Sequence, residues 1–164
     1  MSYQVRTFGD PVLKSRATTV KDFGESLERL AQDMLRIMRD NEGVGLAANQ
    51  IGRLKRIFVA AYEDQEFVVV NPKVEWSSES RENDEEGCLS LPGTRVEVER
   101  PYAVTVSGMD TSGTPLLLKA EGLLARIFQH EIDHLNGVLI LDRTDLESRK
   151  RAMREIRERL MAHQ

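Results

Sequence analysis

The sequence predicts an α+β fold: mixed, mostly antiparallel sheets around a buried central helix, with an N-terminal helix and a C-terminal surface helix. Apolar residues recur at helical spacing near 23–40, over 122–136 and again after Thr144. Between residues 57 and 118 the pattern changes to short β-branched and aromatic runs separated by turn residues. No repeat and no Gly/Ser- or Pro-rich linker divides the 164 residues, so a single domain over 1–164 is the simplest organisation.

The elements follow in order. Gly9-Asp10-Pro11 is a turn signal within an irregular arm. Asp22 and Glu25 have capping-box spacing, and Leu27, Leu30, Met34 and Met38 then line one face of a helix over about 23–40. That helix is expected to stop near Asn41, because Gly43 and Gly45 lose the most backbone entropy in a helix; the segment after it reads as a loop. Residues 57–60 and 67–70 look like hairpin strands, the second ended by Asn71-Pro72. The carboxylate-rich run 74–86 reads as a solvated connection or weak strand. Val96 and Val98, then 103–106 and 116–118, extend the antiparallel region, with Gly108 and Ser112-Gly113 as punctuation.

Leu123, Leu124, Ile127, Phe128 and Leu135 restore the helical period. They cover more than a narrow stripe, so this helix is expected to lie mostly buried, with Asn136-Gly137 as its stop. Residues 138–141 read as one more short strand. Thr144-x-x-Glu147 is a capping box opening a last helix, whose thin seam of Leu146, Met153, Ile156 and Leu160 runs through an Arg-rich surface.

Composition limits the function classes. A chain of this length hides on the order of 70 % of its extended surface on folding, so it needs neither disulfides nor a structural metal. The lone cysteine, Cys88, excludes an internal disulfide and suits a reducing compartment. A net charge of -4 argues against a broad phosphate-binding face and against specific nucleic-acid recognition. No run of 18 apolar residues is present, and Met1-Ser2-Tyr3-Gln4 lacks the basic start of an export signal. A monomeric cytoplasmic protein without a membrane partner is the expectation.

Of three histidines, two flank a glutamate as His130-Glu131-x-x-His134 on the central helix; the third, His163, sits near the C-terminal end. Residues i and i+4 share a helix face, so both imidazoles can reach one tetrahedral metal while Glu131 borders a bound water. Such a metal acidifies water, and the neighbouring carboxylate can take the proton and return it to a leaving amine. The competing account is two satisfied core histidines, but a chain with three histidines would rarely place two of them around a glutamate by chance. Asp133 reads as a partner that steadies the helix or orients an imidazole, not as a ligand. A catalytic site of this type wants a third ligand from outside the helix, and Cys88 is the candidate. Two other roles stand beside that one: a small buried hydrophobe, or a nucleophile with a histidine base.

Gly43-Val44-Gly45-Leu46-Ala47-Ala48-Asn49-Gln50 allows close approach of another backbone and ends in a hydrogen-bonding amide, which suits a peptide groove. It lacks the phosphate-loop patterns of nucleotide sites.

With these residues assembled, the sequence resembles the peptide deformylase family, most like its bacterial form with a helical C-terminus. Three motifs occur in order: the segment Gly43 to Gln50; Glu86-Gly87-Cys88-Leu89-Ser90; and Gln129-His130-Glu131-Ile132-Asp133-His134-Leu135. The resemblance implies a hydrolase that removes the formyl group from the initiator methionine of nascent polypeptides, releasing formate. It implies Cys88, His130 and His134 as ligands of one divalent metal, Fe(II) foremost, with Zn(II), Ni(II) or Co(II) as substitutes. Glu131 is implied as general base and acid, and the Gln50 amide with the Leu89 N–H as donors to the formyl oxygen.

The methionine side chain is expected in an apolar pocket near Val44, Leu123 and Ile127, with the peptide extended along Gly43, Gly45 and Gly87. Arg126 is expected to snorkel or pair with Glu86, and Arg95 to meet peptide carbonyls or a carboxylate. The Arg-rich last helix, with Arg149, Lys150, Arg151, Arg154, Arg157 and Arg159, suggests a transient ribosome contact or simply a solvated face. The readings set against a deformylase are a metallopeptidase that cuts internal bonds and a non-catalytic peptide- or ribosome-binding paralogue.

Overall fold

In the computed structural model, which describes residues 3–162, an antiparallel five-stranded sheet and a separate antiparallel pair of strands enclose a helix. The elements run α1 (Glu25–Asp40), β1 (Gly45–Ala47), β2 (Ile57–Tyr62), β3 (Gln65–Ser77), β4 (Arg81–Cys88), β5 (Leu91–Pro101), β6 (Ala103–Met109), β7 (Pro115–Glu121), α2 (Gly122–Leu135) and α3 (Leu146–Ala162). The large sheet has the order β1-β2-β3-β6-β7, and β4 pairs with β5 alone. His163 lies outside the described residues.

The apolar run that predicts β2 is unbroken because β2 is covered on both faces. Ile57 and Val59 pack with α1 residues such as Leu30 and Met34, while Phe58 and Ala60 pack with α2 residues Ile127 and Phe128. α1 and α2 therefore lie on opposite faces of the large sheet. β5 turns Val96 and Val98 toward Ala152 and Ile156 of α3 and toward Ile140 and Leu141. The irregular arm binds the body by its backbone: the Arg6 N–H donates to the Gln50 carbonyl at 2.6 Å, and the Phe8 N–H to the Ser90 carbonyl at 2.9 Å.

Several expectations are corrected. The α1 N-cap is Gly24, in a positive-φ conformation (φ 132°), and Asp22 lies outside the helix. The glycine-rich segment is a short strand, β1, followed by a 3-10 turn over Ala48–Ile51. β3 does not stop at Asn71-Pro72. Asn71 takes φ 51° and its amide stitches to the arm, accepting from the Val20 N–H at 2.8 Å and donating to the Val20 carbonyl at 3.0 Å. The strand bulges there and continues to Ser77, so the acidic run belongs to β3 and β4.

Gly108 stays inside β6, where a Cβ would come within 2.7 Å of Val69 Cγ1. Residues 138–141 form no strand. A 3-10 turn over Ile140–Asp142 lets consecutive apolar residues be buried, and the Asp142 carboxylate accepts from the Leu139 N–H at 2.9 Å. The first turn of α3 is held by Asp145, which accepts from the Ser148 N–H, and not by Thr144 with Glu147. Its seam is Ala152, Met153 and Ile156, whereas Leu146 and Leu160 are exposed. No helix among the described residues is long and apolar enough to cross a membrane.

Candidate active site

α2 carries His130 and His134 one turn apart, and the end of β4 brings Cys88 to them from the smaller sheet. Cys88 Sγ lies 3.3 Å from His134 Nε2, which lies 3.2 Å from His130 Nε2. Tetrahedral ligation at ordinary bond lengths sets thiolate and imidazole ligand atoms about 3.5 Å apart and two imidazole nitrogens about 3.3 Å apart. Both separations are close to that spacing, all three ligand atoms lie within 4.8 Å of one another, and one soft sulfur with two nitrogens suits a divalent transition metal. The three side chains form a divalent metal site.

The groups behind them fit the same purpose. His130 Nδ1 meets Glu86 Oε1 at 2.9 Å, which orients the ring and leaves Nε2 turned to the cluster. Burial pushes the Glu86 carboxyl up, but its hydrogen bonds to His130 and Arg100 outweigh this and hold it down to about 2. Burial also opposes ionisation of Cys88, yet the nearby His134 and His130 pull its thiol well below the usual range, toward the thiolate that binds metals.

Glu131 faces the cluster from below β1. Its carboxylate is buried, Oε1 makes no hydrogen bond, and burial raises its pKa against the opposing pull of His130 and His134. Gly45 makes room for it: a Cβ there would stand 2.4 Å from Glu131 Oε2. The Gln50 amide is set by its ends, because Oε1 accepts the Ala47 N–H at 2.9 Å while Nε2 donates to Ser90 Oγ at 3.1 Å and lies 3.4 Å from Cys88 Sγ.

These groups line a groove of 540 Å³ between β1, the β4–β5 turn and α2. Its walls include Gly43, Val44, Gly45, Gln50, Gly87, Leu89, Arg95, Leu123 and Ile127, with Cys88, His130 and Glu131 on the floor. Val44 and Leu123 are exposed at its edge, and Ile127 is buried beneath them. Glu86 and Arg126 border the groove but are bound to each other. Arg126 Nη1 donates to Glu86 Oε2 at 2.6 Å and to the Val98 carbonyl at 2.8 Å. Arg95 is solvent-facing and lies 3.6 Å from the Glu85 carboxylate.

The sequence family described as polypeptide deformylase matches residues 2–150. Peptide deformylase 1 of Corynebacterium glutamicum is 51 % identical over 158 residues, covering 94 % of this chain and 94 % of that protein. The chain belongs to the polypeptide deformylase family. Among solved structures, the deformylase of Thermus thermophilus superposes with a TM-score of 0.91 at 42 % identity, covering 99 % of this chain and 97 % of that one. The deformylase of Synechococcus elongatus, solved in complex with actinonin, gives 0.90 at 41 % identity, over 93 % of this chain and 85 % of that one.

Three residues beside the deformylase site escape the sequence reading. Ser90 fixes the Gln50 amide. Arg100 forks Glu86 at 2.6 and 2.9 Å and reaches Asp133 at 2.9 Å, and Arg143 forks Asp133 from the other side. Asp133 thus steadies the helix through arginines, while Glu86 is the group that orients an imidazole. A signal for Arg100 does exist: it follows Val96 and Val98 in the same period-two phase, so a charge falls on the inward face of β5.

Proposed function

We propose that the groove removes the formyl group from the initiator methionine of nascent polypeptides, with the residues of this chain in the following roles. The observation that supports it most is the meeting of the Cys88, His130 and His134 cluster with a buried Glu131 carboxylate, whose Oε1 has no hydrogen-bond partner among the described residues, and an oriented Gln50 amide. Cys88, His130 and His134 would hold one divalent ion, for which we take Fe(II), with Zn(II), Ni(II) or Co(II) as substitutes. When bound, the ion supplies positive charge that acidifies water and offsets charge developing on the formyl oxygen.

Glu131 takes the proton of the attacking water and delivers it to the amine as the C–N bond breaks, so formate and a free methionyl N-terminus leave. Its position, buried in the groove floor beside His130, suits it to both halves of that exchange. Gln50 Nε2 and the Leu89 N–H donate to the oxygen of the tetrahedral intermediate. Val44, Leu123 and Ile127 receive the methionine side chain, and the peptide lies extended past Gly43, Gly45 and Gly87. Arg95 meets the peptide farther along the groove, while Glu86 and Arg126 support its floor.

The 164 residues act as one catalytic domain, a cytoplasmic monomer with no specific nucleic-acid partner. The exposed Arg149, Lys150, Arg154 and Arg157 of α3 provide a transient ribosome contact; Arg151 and Arg159 are instead turned to β5, donating to Arg95, Pro92 and Gly93 carbonyls. The test compares formate release from formyl-Met and acetyl-Met peptides by anaerobically prepared Fe(II) protein of measured metal content. Formate from the formyl peptide alone is expected. No formate overturns the reading, and internal cleavage in its place supports a metallopeptidase.

A further inference from the structure

We propose that Arg143 is a positioning residue for the metal site, holding the His130 imidazole in its ligating orientation through Asp133, Arg100 and Glu86. The inference rests on the deformylase reading of the groove, but its main readout is metal binding, not turnover.

The connection is continuous. Arg143 follows the Ile140–Asp142 turn and forks the Asp133 carboxylate at 3.0 and 2.8 Å. Asp133 Oδ2 also accepts from Arg100 Nη1 at 2.9 Å. The remaining nitrogens of Arg100 fork Glu86 at 2.6 and 2.9 Å, and Glu86 Oε1 meets His130 Nδ1 at 2.9 Å. Arg100, Glu86 and Asp133 expose 5, 4 and 10 % of their side chains, whereas Arg143 exposes 49 %.

Arg100 is shared between two buried carboxylates, and this sharing is where Arg143 acts. With Arg143 present, Asp133 has a cation of its own and the Arg100 fork stays square on Glu86. Without it, Asp133 has Arg100 as its one remaining ion-pair partner among the described residues and draws the guanidinium away from Glu86, since a buried carboxylate without its partner is costly. Glu86 Oε1 determines how the His130 ring is turned, and the ring carries Nε2 with it. Arg143 itself is half in solvent, so its removal costs little packing; the effect falls on the metal.

A second cavity, of 250 Å³, lies beside Arg81, Arg100, Asp133 and Arg143 and shares no lining residue with the groove. It offers a route for chemical rescue, because a truncated Arg143 leaves space that a guanidinium ion can enter.

Cobalt(II) is the probe, since its visible absorption bands report the geometry of thiolate and imidazole ligands. In Co(II)-loaded protein, Arg143→Ala is expected to shift these bands, to weaken Co(II) affinity about tenfold or more, and to lower kcat with KM unchanged. Millimolar guanidinium is expected to restore bands and affinity together. Arg81→Ala, which removes a cation from the same cavity that pairs with Glu99 at 3.1 Å, is expected to behave as wild type.

Wild-type bands and affinity in Arg143→Ala overturn the proposal, as does a loss that guanidinium leaves in place or that Arg81→Ala reproduces. Should Arg143→Ala not fold, Arg143→Lys, which keeps the charge but not the fork, is read by the same bands: a shift supports the proposal and unshifted bands overturn it. Failure of the deformylase reading appears separately, as absent formate release by wild type.

Discussion

Gly45 and Glu131 share one van der Waals boundary: a methyl group at position 45 would overlap the Glu131 carboxylate, with 2.4 Å between Cβ and Oε2. Space, not backbone freedom, requires the glycine, because Gly45 is not among the positive-φ residues. Gly45→Ala is therefore expected to retain metal and fold while kcat/KM falls about a hundredfold, the scale of a displacement near 1 Å at a reacting group. Formate release at measured metal content decides it; near-wild-type rates would show that Glu131 tolerates the shift.

Glu131→Gln removes the proposed proton acceptor without removing a ligand atom of the cluster. Metal content is expected to stay at the wild-type level while turnover falls by about 10²- to 10⁴-fold, the contribution of a positioned acid–base group. Substantial turnover in the fully metallated variant would assign the proton transfer elsewhere.

Gln50 and Ser90 separate donation from orientation. Gln50→Ala deletes the proposed donor, and kcat is expected to fall about 10²- to 10³-fold. Ser90→Ala removes only the hydroxyl that the amide contacts at 3.1 Å, so a smaller loss is expected. If Ser90→Ala matches Gln50→Ala, orientation accounts for the whole contribution.

Phe128 is fully buried beneath the site, its ring centroid 5.8 Å from Phe58 and 5.2 Å from Phe67. Phe128→Ala is expected to cost about 3–5 kcal/mol, read as a lower urea midpoint at constant m-value. A cost below about 1 kcal/mol would mean that α2 re-packs freely on the large sheet.

Asp142 provides a pH-dependent contribution remote from the metal. Burial pushes its pKa up, but hydrogen bonds from Lys14 and the Leu139 N–H outweigh burial and leave it lowered. A carboxyl depressed on folding stabilises above its unfolded value of about 3.9 and loses that contribution as pH falls through its folded value. Asp142→Asn is accordingly expected to cost less than about 1 kcal/mol at neutral pH, because the pair is partly exposed. The difference from wild type should vanish at acid pH. Denaturant titrations of both proteins across that range test the sign.

Sequence alone makes α1, α2 and the β2–β3 hairpin legible, because each buries enough side chains for its period to show. Cys88, His130 and His134 stand out because their residue types are rare in this chain. The Arg126–Glu86 pair is also visible, since an arginine on a buried helix needs a partner. β1 is invisible: Gly45, Leu46 and Ala47 are too few to show an alternation, and their strand character comes from pairing with β2. Asn71-Pro72 imitates a strand end because the hydrogen bonds that retain Asn71 come from Val20, far away in sequence. Arg143 is similarly hidden, as nothing in its neighbourhood names Asp133.

The site lies on a seam between two sheets that share no strand pairing. Cys88 hangs from the smaller sheet, and the two histidines stand on a helix packed against the larger one, 42 and 46 positions later. A cation held by all three is thus a cross-link as well as a reagent: it closes a long loop of chain and joins the two sheets. Because it binds the folded arrangement, free metal raises stability logarithmically once its concentration exceeds the dissociation constant. Thermal tolerance of the protein is therefore expected to follow the metal supply of its surroundings.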